Sequence, residues 1–140
     1  MSQLFQVSAR DHSAVILMTE LARHFESGSC ASLQEIATEM QLSEGYLEEI
    51  AARLKKAELI IGKQGPGGGY RLTREPKEIS LEEILTALTG PIALVDCQAT
   101  DRPCPVSAKC ASKHIWKSVQ QSIQTTLQNT RLTDVMPAAK

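Results

Sequence analysis

Apolar residues recur at three- and four-residue steps along much of this chain, and their spacing lays out most of the fold. Ala14, Leu17, Met18, Leu21, Ala22 and Phe25 define a first amphipathic helix from about Arg10 to Phe25, ended by Glu26-Ser27-Gly28-Ser29. Ser32-Leu33-Gln34-Glu35 has the form of a capping box, and Leu33, Ile36, Ala37 and Met40 give a second, short helix one apolar face. Gln41-Leu42 is then a turn. Ser43 caps a third helix that points Leu47, Ile50, Ala51 and Leu54 inward and Glu48, Glu49, Ala52, Arg53, Lys55 and Lys56 outward. Two short helices around a tight connection predict a helix-turn-helix.

The period then changes. Leu59-Ile60-Ile61 leads through Gly62-Lys63-Gln64 into Gly65-Pro66-Gly67-Gly68-Gly69 and Tyr70-Arg71-Leu72, which predicts a strand, a glycine turn and a returning strand, a β-wing. A phosphate-binding nucleotide loop is the competing reading. It requires a Gly-Lys-Ser/Thr ending and a helix directly behind it, and the chain has neither. Ser80-Leu81-Glu82-Glu83 is a second capping box, opening a helix through Leu81, Ile84, Leu85 and Leu88 that stops at Gly90-Pro91. Last, Ile115, Trp116, Val119, Ile123 and Leu127 line one face of a Gln-rich helix from about Ser112 to Asn129. That face needs a partner. The same helix of a second copy, giving a two-fold homodimer, is one expectation, and packing back on the first helix is the other.

The composition, rich in Leu, Ile, Ala, Glu, Lys and Gln and poor in aromatics, favours helices in a single unit of 140 residues with a protruding arm. The start, Met1-Ser2-Gln3-Leu4-Phe5, lacks a basic leader with an apolar core, and no apolar run reaches the roughly eighteen residues of a membrane span. The expected setting is the cytoplasm, with no membrane partner. A net charge of −1 is uninformative, but seven basic residues (Arg53, Lys55, Lys56, Lys63, Arg71, Arg74, Lys77) stand against Glu58 and Glu75 between Arg53 and Lys77. Such a stripe can meet phosphates, or it is a solvated helix end and charged turn.

Cys97, Cys104 and Cys110 crowd into fourteen residues punctuated by Pro103 and Pro105, and Cys30 stands apart as a loop bystander. In a reducing cytosol, clustered thiols are metal-binding or redox-active more often than disulfide-forming. An iron-sulfur cluster is the leading candidate. A structural zinc, or one disulfide plus a free thiol acting as a metal-free redox switch, are the alternatives. No nucleophile-base pair, nucleotide loop or carboxylate dyad has meaningful spacing, so neither an enzyme nor a small-molecule substrate is expected.

The order of these features, with Tyr46-Leu47-Glu48 in the third helix, Gly65-Pro66-Gly67-Gly68-Gly69-Tyr70 in the wing and three cysteines before a long final helix, resembles the Rrf-two family of bacterial winged-helix regulators. The resemblance runs from about Phe5 to Met136, and the stretch Gly90 to Cys97 also looks like the members that regulate iron-sulfur assembly operons. It implies a mainly α fold: a winged helix-turn-helix DNA-binding domain over 1–90, a cluster-binding loop over 91–111, and a dimerisation helix and tail over 112–140. It further implies a homodimer on palindromic promoter DNA with an iron-sulfur cluster, [2Fe-2S] or [4Fe-4S], on each subunit, sensing iron, redox or nitric oxide status.

Cys97, Cys104 and Cys110 match the family's three cysteine ligands, with six residues in the first gap where five is common. For the fourth ligand, IscR-like members place a histidine three residues past the last cysteine. Here Lys113 fills that place and His114 follows it. NsrR-like members borrow a carboxylate from the partner's first helix, where this chain has His12, with Asp11 beside it. His12 ranks ahead of His114 and Asp11, and a histidine beside an apolar helix is otherwise a surface or core residue. On DNA, Ser43 and Tyr46 are expected on phosphate, with Arg53 in the same basic stripe. Glu48 would accept from a cytosine amino group or oppose a wrong base. Lys63, Arg71 and the backbone at Gly67 and Gly68 would hold phosphates and the minor groove, and Gln64 stands where the family often has Arg.

Overall fold

The structure, a computed structural model, describes residues 7–94, 106 and 109–136. Helix α1 spans Ala9–Arg23, α2 Leu33–Met40 and α3 Glu44–Lys56, followed by strands β1 Ile60–Lys63 and β2 Gly69–Leu72. A 3-10 turn at Pro76–Glu78, α4 at Leu81–Thr89, α5 at Lys113–Asn129 and α6 at Leu132–Val135 complete the described elements.

Side-chain caps set where the helices begin. Ser43 Oγ accepts the Tyr46 N–H at 3.0 Å to start α3, and Gln41, at φ 57°, ends α2 in the left-handed conformation. Only the forward half of the expected box at α2 forms: Ser32 Oγ accepts from the Glu35 N–H at 3.4 Å, while the exposed Glu35 returns nothing. The box at Ser80 and Glu83 is complete. A third box, not foreseen, opens α1, where the Ser8 N–H donates to Asp11 Oδ2 at 3.0 Å and the Asp11 N–H to Ser8 Oγ at 3.1 Å.

The inward stripes meet in one core. Leu17, Met18 and Leu21 of α1, Leu47, Ile50 and Leu54 of α3, and Ile84 of α4 are fully buried together with Leu59, Ile60 and Ile79. Helix α1 packs on α3, α4 and β2, so it is the central strut of the domain. The wing is an antiparallel pair registered Ile60 to Leu72 and Lys63 to Gly69. Its strands bury Ile60 and Leu72 and turn Ile61, Lys63 and Arg71 outward.

Beyond α5 the chain turns back. The Leu132 N–H donates to the Ile79 carbonyl and the Leu81 N–H to the Thr130 carbonyl, both at 2.9 Å, which seats Leu132 at 0 % exposure in the core. Helix α5 rests on α4 rather than on α1. None of its residues is buried, and Ile115, Trp116 and Val119 are 60, 41 and 41 % exposed. No described helix is long and apolar enough to cross a membrane.

Glu83 makes the α4 cap pH-sensitive. Partial burial pushes its carboxyl up, but bonds from the Ser80 N–H and the Arg74 guanidinium outweigh that and hold it below its ordinary value. A carboxyl lowered in the folded state contributes stability above its unfolded range, near about 4.3, which is lost as pH falls through the lowered value. Urea midpoints taken from about pH 6 down to about pH 3 are therefore expected to fall more steeply for the native chain than for Glu83→Gln. At neutral pH the variant should cost less than about 1 kcal/mol, because the pair is partly solvated. Parallel acid limbs would contradict this role.

Candidate nucleic-acid interface

Helix α3 presents its polar face beside the wing. Glu44, Gly45, Glu48 and Glu49 are exposed and Tyr46 is half-buried against the core. The helix is held from two sides. Arg10 Nη2 of α1 meets Glu49 Oε1 at 2.9 Å, and Arg53 Nη1 donates to the Leu88 carbonyl of α4 at 2.8 Å. Arg53 thus satisfies a carbonyl in the last turn of α4, one of those a helix end leaves without an internal partner. Ser43 is exposed, and its hydroxyl oxygen carries the α3 cap.

The wing tip depends on glycine. The Gly68 N–H closes a turn on the Gly65 carbonyl at 2.9 Å, and a Cβ at Gly68 would stand 2.3 Å from the Lys63 carbonyl oxygen. Gly67 and Gln64 are exposed and Gly68 half-buried, so the tip offers backbone and one amide side chain. Of the seven cations in the basic stripe, Arg53 is engaged at Leu88, Arg74 with Glu83 at 2.7 Å and Lys77 with Glu75 at 3.1 Å. Lys55 and Lys56 at the end of α3, and Lys63 and Arg71 on the wing, have no carboxylate partner among the described residues. Glu44 and Glu48 also lack a cationic partner there, so this face mixes free cations with free carboxylates.

Of the cysteine set, Cys97 and Cys104 lie outside the described residues. Cys110 is a half-buried free thiol two residues before the Ser112 cap of α5. The Ser112 hydroxyl, 3.6 Å away, and then backbone N–H groups and Lys113 hold its pKa below the ordinary thiol value. It is therefore suited to serve as a thiolate ligand. His114, in the first turn of α5, and His12, on α1, are both exposed. Asp11 is 3 % exposed: one carboxylate oxygen is bound into the α1 cap and the other is buried without a partner among the described residues. No group of three His, Cys, Asp or Glu side chains converges among the described residues.

Two contacts that hold this face, Arg10 to Glu49 and Arg53 to Leu88, have no local signal in the sequence. Arg10 carries no signal beyond being a cation near a helix start. Arg53 occupies an outward position, and its carbonyl partner lies 35 residues away in sequence.

Comparison with known proteins agrees with this geometry. The model of the Rrf2 family, described as an iron-dependent transcriptional regulator, matches residues 7–138. An IscR regulator of Aliivibrio salmonicida is 28% identical over 131 residues, covering 94% of this chain and 77% of its own length. The solved IscR of T. potens is 34% identical with a TM-score of 0.71, over 94% of this chain and 85% of that one. CymR, the global cysteine regulator of B. subtilis, is 29% identical with a TM-score of 0.74, over 94% and 96% of the two chains.

Arg53→Met, which keeps the aliphatic stem and removes the donor, is expected to lower unfolding free energy by about 1 to 2 kcal/mol in urea titration. An unchanged midpoint would show that the bond to Leu88 contributes nothing.

Proposed function

The chain belongs to the Rrf2 family of DNA-binding transcriptional regulators, and from that premise we propose that it works as a homodimer whose grip on promoter DNA is set by an iron-sulfur cluster. The observation that carries the pairing is α5, whose apolar residues Ile115, Trp116 and Val119 are exposed in the single chain. Two copies meeting along that face are related by a two-fold axis and remove the stripe from water. Pairing then aims the two α3 helices at major grooves one turn apart, about 34 Å.

On the duplex, Lys55, Lys56, Lys63 and Arg71 supply phosphate contacts, and the Gly67 and Gly68 backbone brings the wing close to the minor groove. Ser43 and Tyr46 lie where α3 meets the backbone. Glu44 and Glu48 repel phosphate unless a base amino group meets them, which makes them selectors against wrong sequences. Gln64 reads the wing's groove by hydrogen bonding, without the charge of an arginine. Arg53 acts by holding α3 in place against α4.

Cys97, Cys104 and Cys110 would hold the cluster, which supplies a centre that iron shortage, oxygen or nitric oxide can strip or convert. The lowered pKa of Cys110 supports its role as a thiolate ligand. His12 and His114 are accessible for the fourth position, whereas the Asp11 carboxylate is tied into its own helix cap. Because α4 leads into the cysteine segment and α5 leaves it, ligation there bears on both the reading domain and the pairing helix. A second reading, a metal-free thiol switch, draws on the same lowered pKa.

Oxygen-free purification followed by iron, zinc and acid-labile sulfide analysis tests the cofactor directly. Iron and sulfide with visible absorbance are expected in the native chain and absent in Cys104→Ala, with an accompanying change in DNA retardation of about 5-fold or more. A colourless protein with stoichiometric zinc, or one free of iron after reconstitution, would falsify the cluster. A reversible disulfide among the three thiols would then favour the switch. Trp116→Glu is expected to shift sedimentation from dimer to monomer, and an unchanged dimer would place the interface elsewhere.

A further inference from the structure

The outward face of the wing is concave. The connection between α1 and α2 is stitched to β2 by two bonds of 2.9 Å, from the Ala31 N–H to the Tyr70 carbonyl and from the Tyr70 N–H to the Ala31 carbonyl. Gly69 permits this approach, since a Cβ there would lie 2.2 Å from the Ala31 carbonyl oxygen. In this register Cys30 stands abreast of Arg71, and Arg71 abreast of Ile61, so all three share one face. Lys63, two residues past Ile61, shares it too and is diagonal to Arg71, a separation of about 7 to 8 Å for cross-strand neighbours.

Between the loop and the wing lies a cavity of about 430 Å³, walled by Ser29, Cys30, Ile61, Lys63 and Arg71, with glycines leaving its backbone open. That volume falls among small-ligand pockets, which span about 300 to 1,000 Å³. Among the described residues the lining includes two cations and no carboxylate. The ion pairs among the described residues, Arg10–Glu49, Arg23–Glu20, Arg74–Glu83 and Lys77–Glu75, leave both cations unopposed. Two like charges across a concave surface raise its potential, and a ligand with two negative charges is the chemistry that relieves it.

We propose that this groove binds a small anion of the diphosphate type, one phosphate group to each cation, and that its occupancy competes with DNA phosphate for Lys63 and Arg71. The competition rests on the DNA-binding reading above, whereas the anion site stands on the groove alone. A free anion of this size enters the cavity whole. A duplex phosphate, carried on a continuous backbone, meets the same cations from the rim.

Cys30 forms part of the wall, so its alkylation by iodoacetamide, an uncharged reagent, reports occupancy in the full-length chain. Peptide mass spectrometry separates Cys30 from the other cysteines. Inorganic pyrophosphate in magnesium-free buffer is expected to slow Cys30 alkylation roughly tenfold at ten times its Kd. Lys63→Gln with Arg71→Gln is expected to abolish that protection, while Cys110 reacts at an unchanged rate in the native chain. Protection no greater than that of sodium chloride at equal ionic strength overturns the proposal, as does protection by duplex DNA alone. Weakening of DNA retardation by pyrophosphate beyond the same salt control tests the competition. If the chain retards no DNA at all, the DNA-binding reading fails while Cys30 protection still decides the anion site.

Discussion

A seventeen-residue helix whose apolar stripe is left uncovered by its own described chain sets the terms for the rest of the molecule. Helix α5 leans on α4 along one side, and the chain beyond it folds back to lock Leu132 beneath Ile79. The arm is thereby anchored at its C-terminal end. Whatever covers Ile115, Trp116 and Val119 acts on an arm joined to the domain through Leu132, which shares a core with α1, α3 and α4. In the proposed pair, burial of that stripe is the force that sets the distance between the two reading heads.

Helix α3, which reads DNA in the proposed complex, is held on both of its faces. Its buried face, Leu47, Ile50, Ala51 and Leu54, sits in the core, while Arg10 and Arg53 secure its polar side to α1 and α4. What remains free is chemically mixed, with Glu44 and Glu48 near the start of α3 and cations at its end and on the wing. A purely basic face binds any duplex. Adding unpaired carboxylates lowers affinity everywhere and lowers it least where a base donates to them, so discrimination comes at the cost of affinity.

Much of this was legible in the residues because amphipathic spacing and helix caps are local signals. The five helices α1 to α5, the wing and the stop at Gly90 follow from apolar periods of 3.6, paired short strands and glycines at positive φ. The features that escaped are contacts between residues distant in sequence. Leu132 opens only a single-turn apolar set with Val135 and Met136, and its place in the core comes from its pairing with the segment around Ile79, far away in sequence. Arg53 reads as solvated until α4 places a carbonyl beside it. Cys30 reads as a bystander, since the bridge from Ala31 to Tyr70 has no pattern that a single sequence reveals. Ser8 and Asp11 form a box with Asp in place of the usual Glu or Gln. The cysteine set was legible as a group by crowding alone, and within the structure only Cys110 of it belongs to the described residues.

In the proposed complex two copies grip one duplex with their α3 helices spaced by α5. Hydroxyl-radical footprinting on a duplex selected by the protein from random sequence measures this at the DNA. Two symmetric protected tracts with centres about 34 Å apart, one helical turn, are expected. A single unsymmetric tract bound by one chain, or no protection on any selected duplex, would contradict that arrangement.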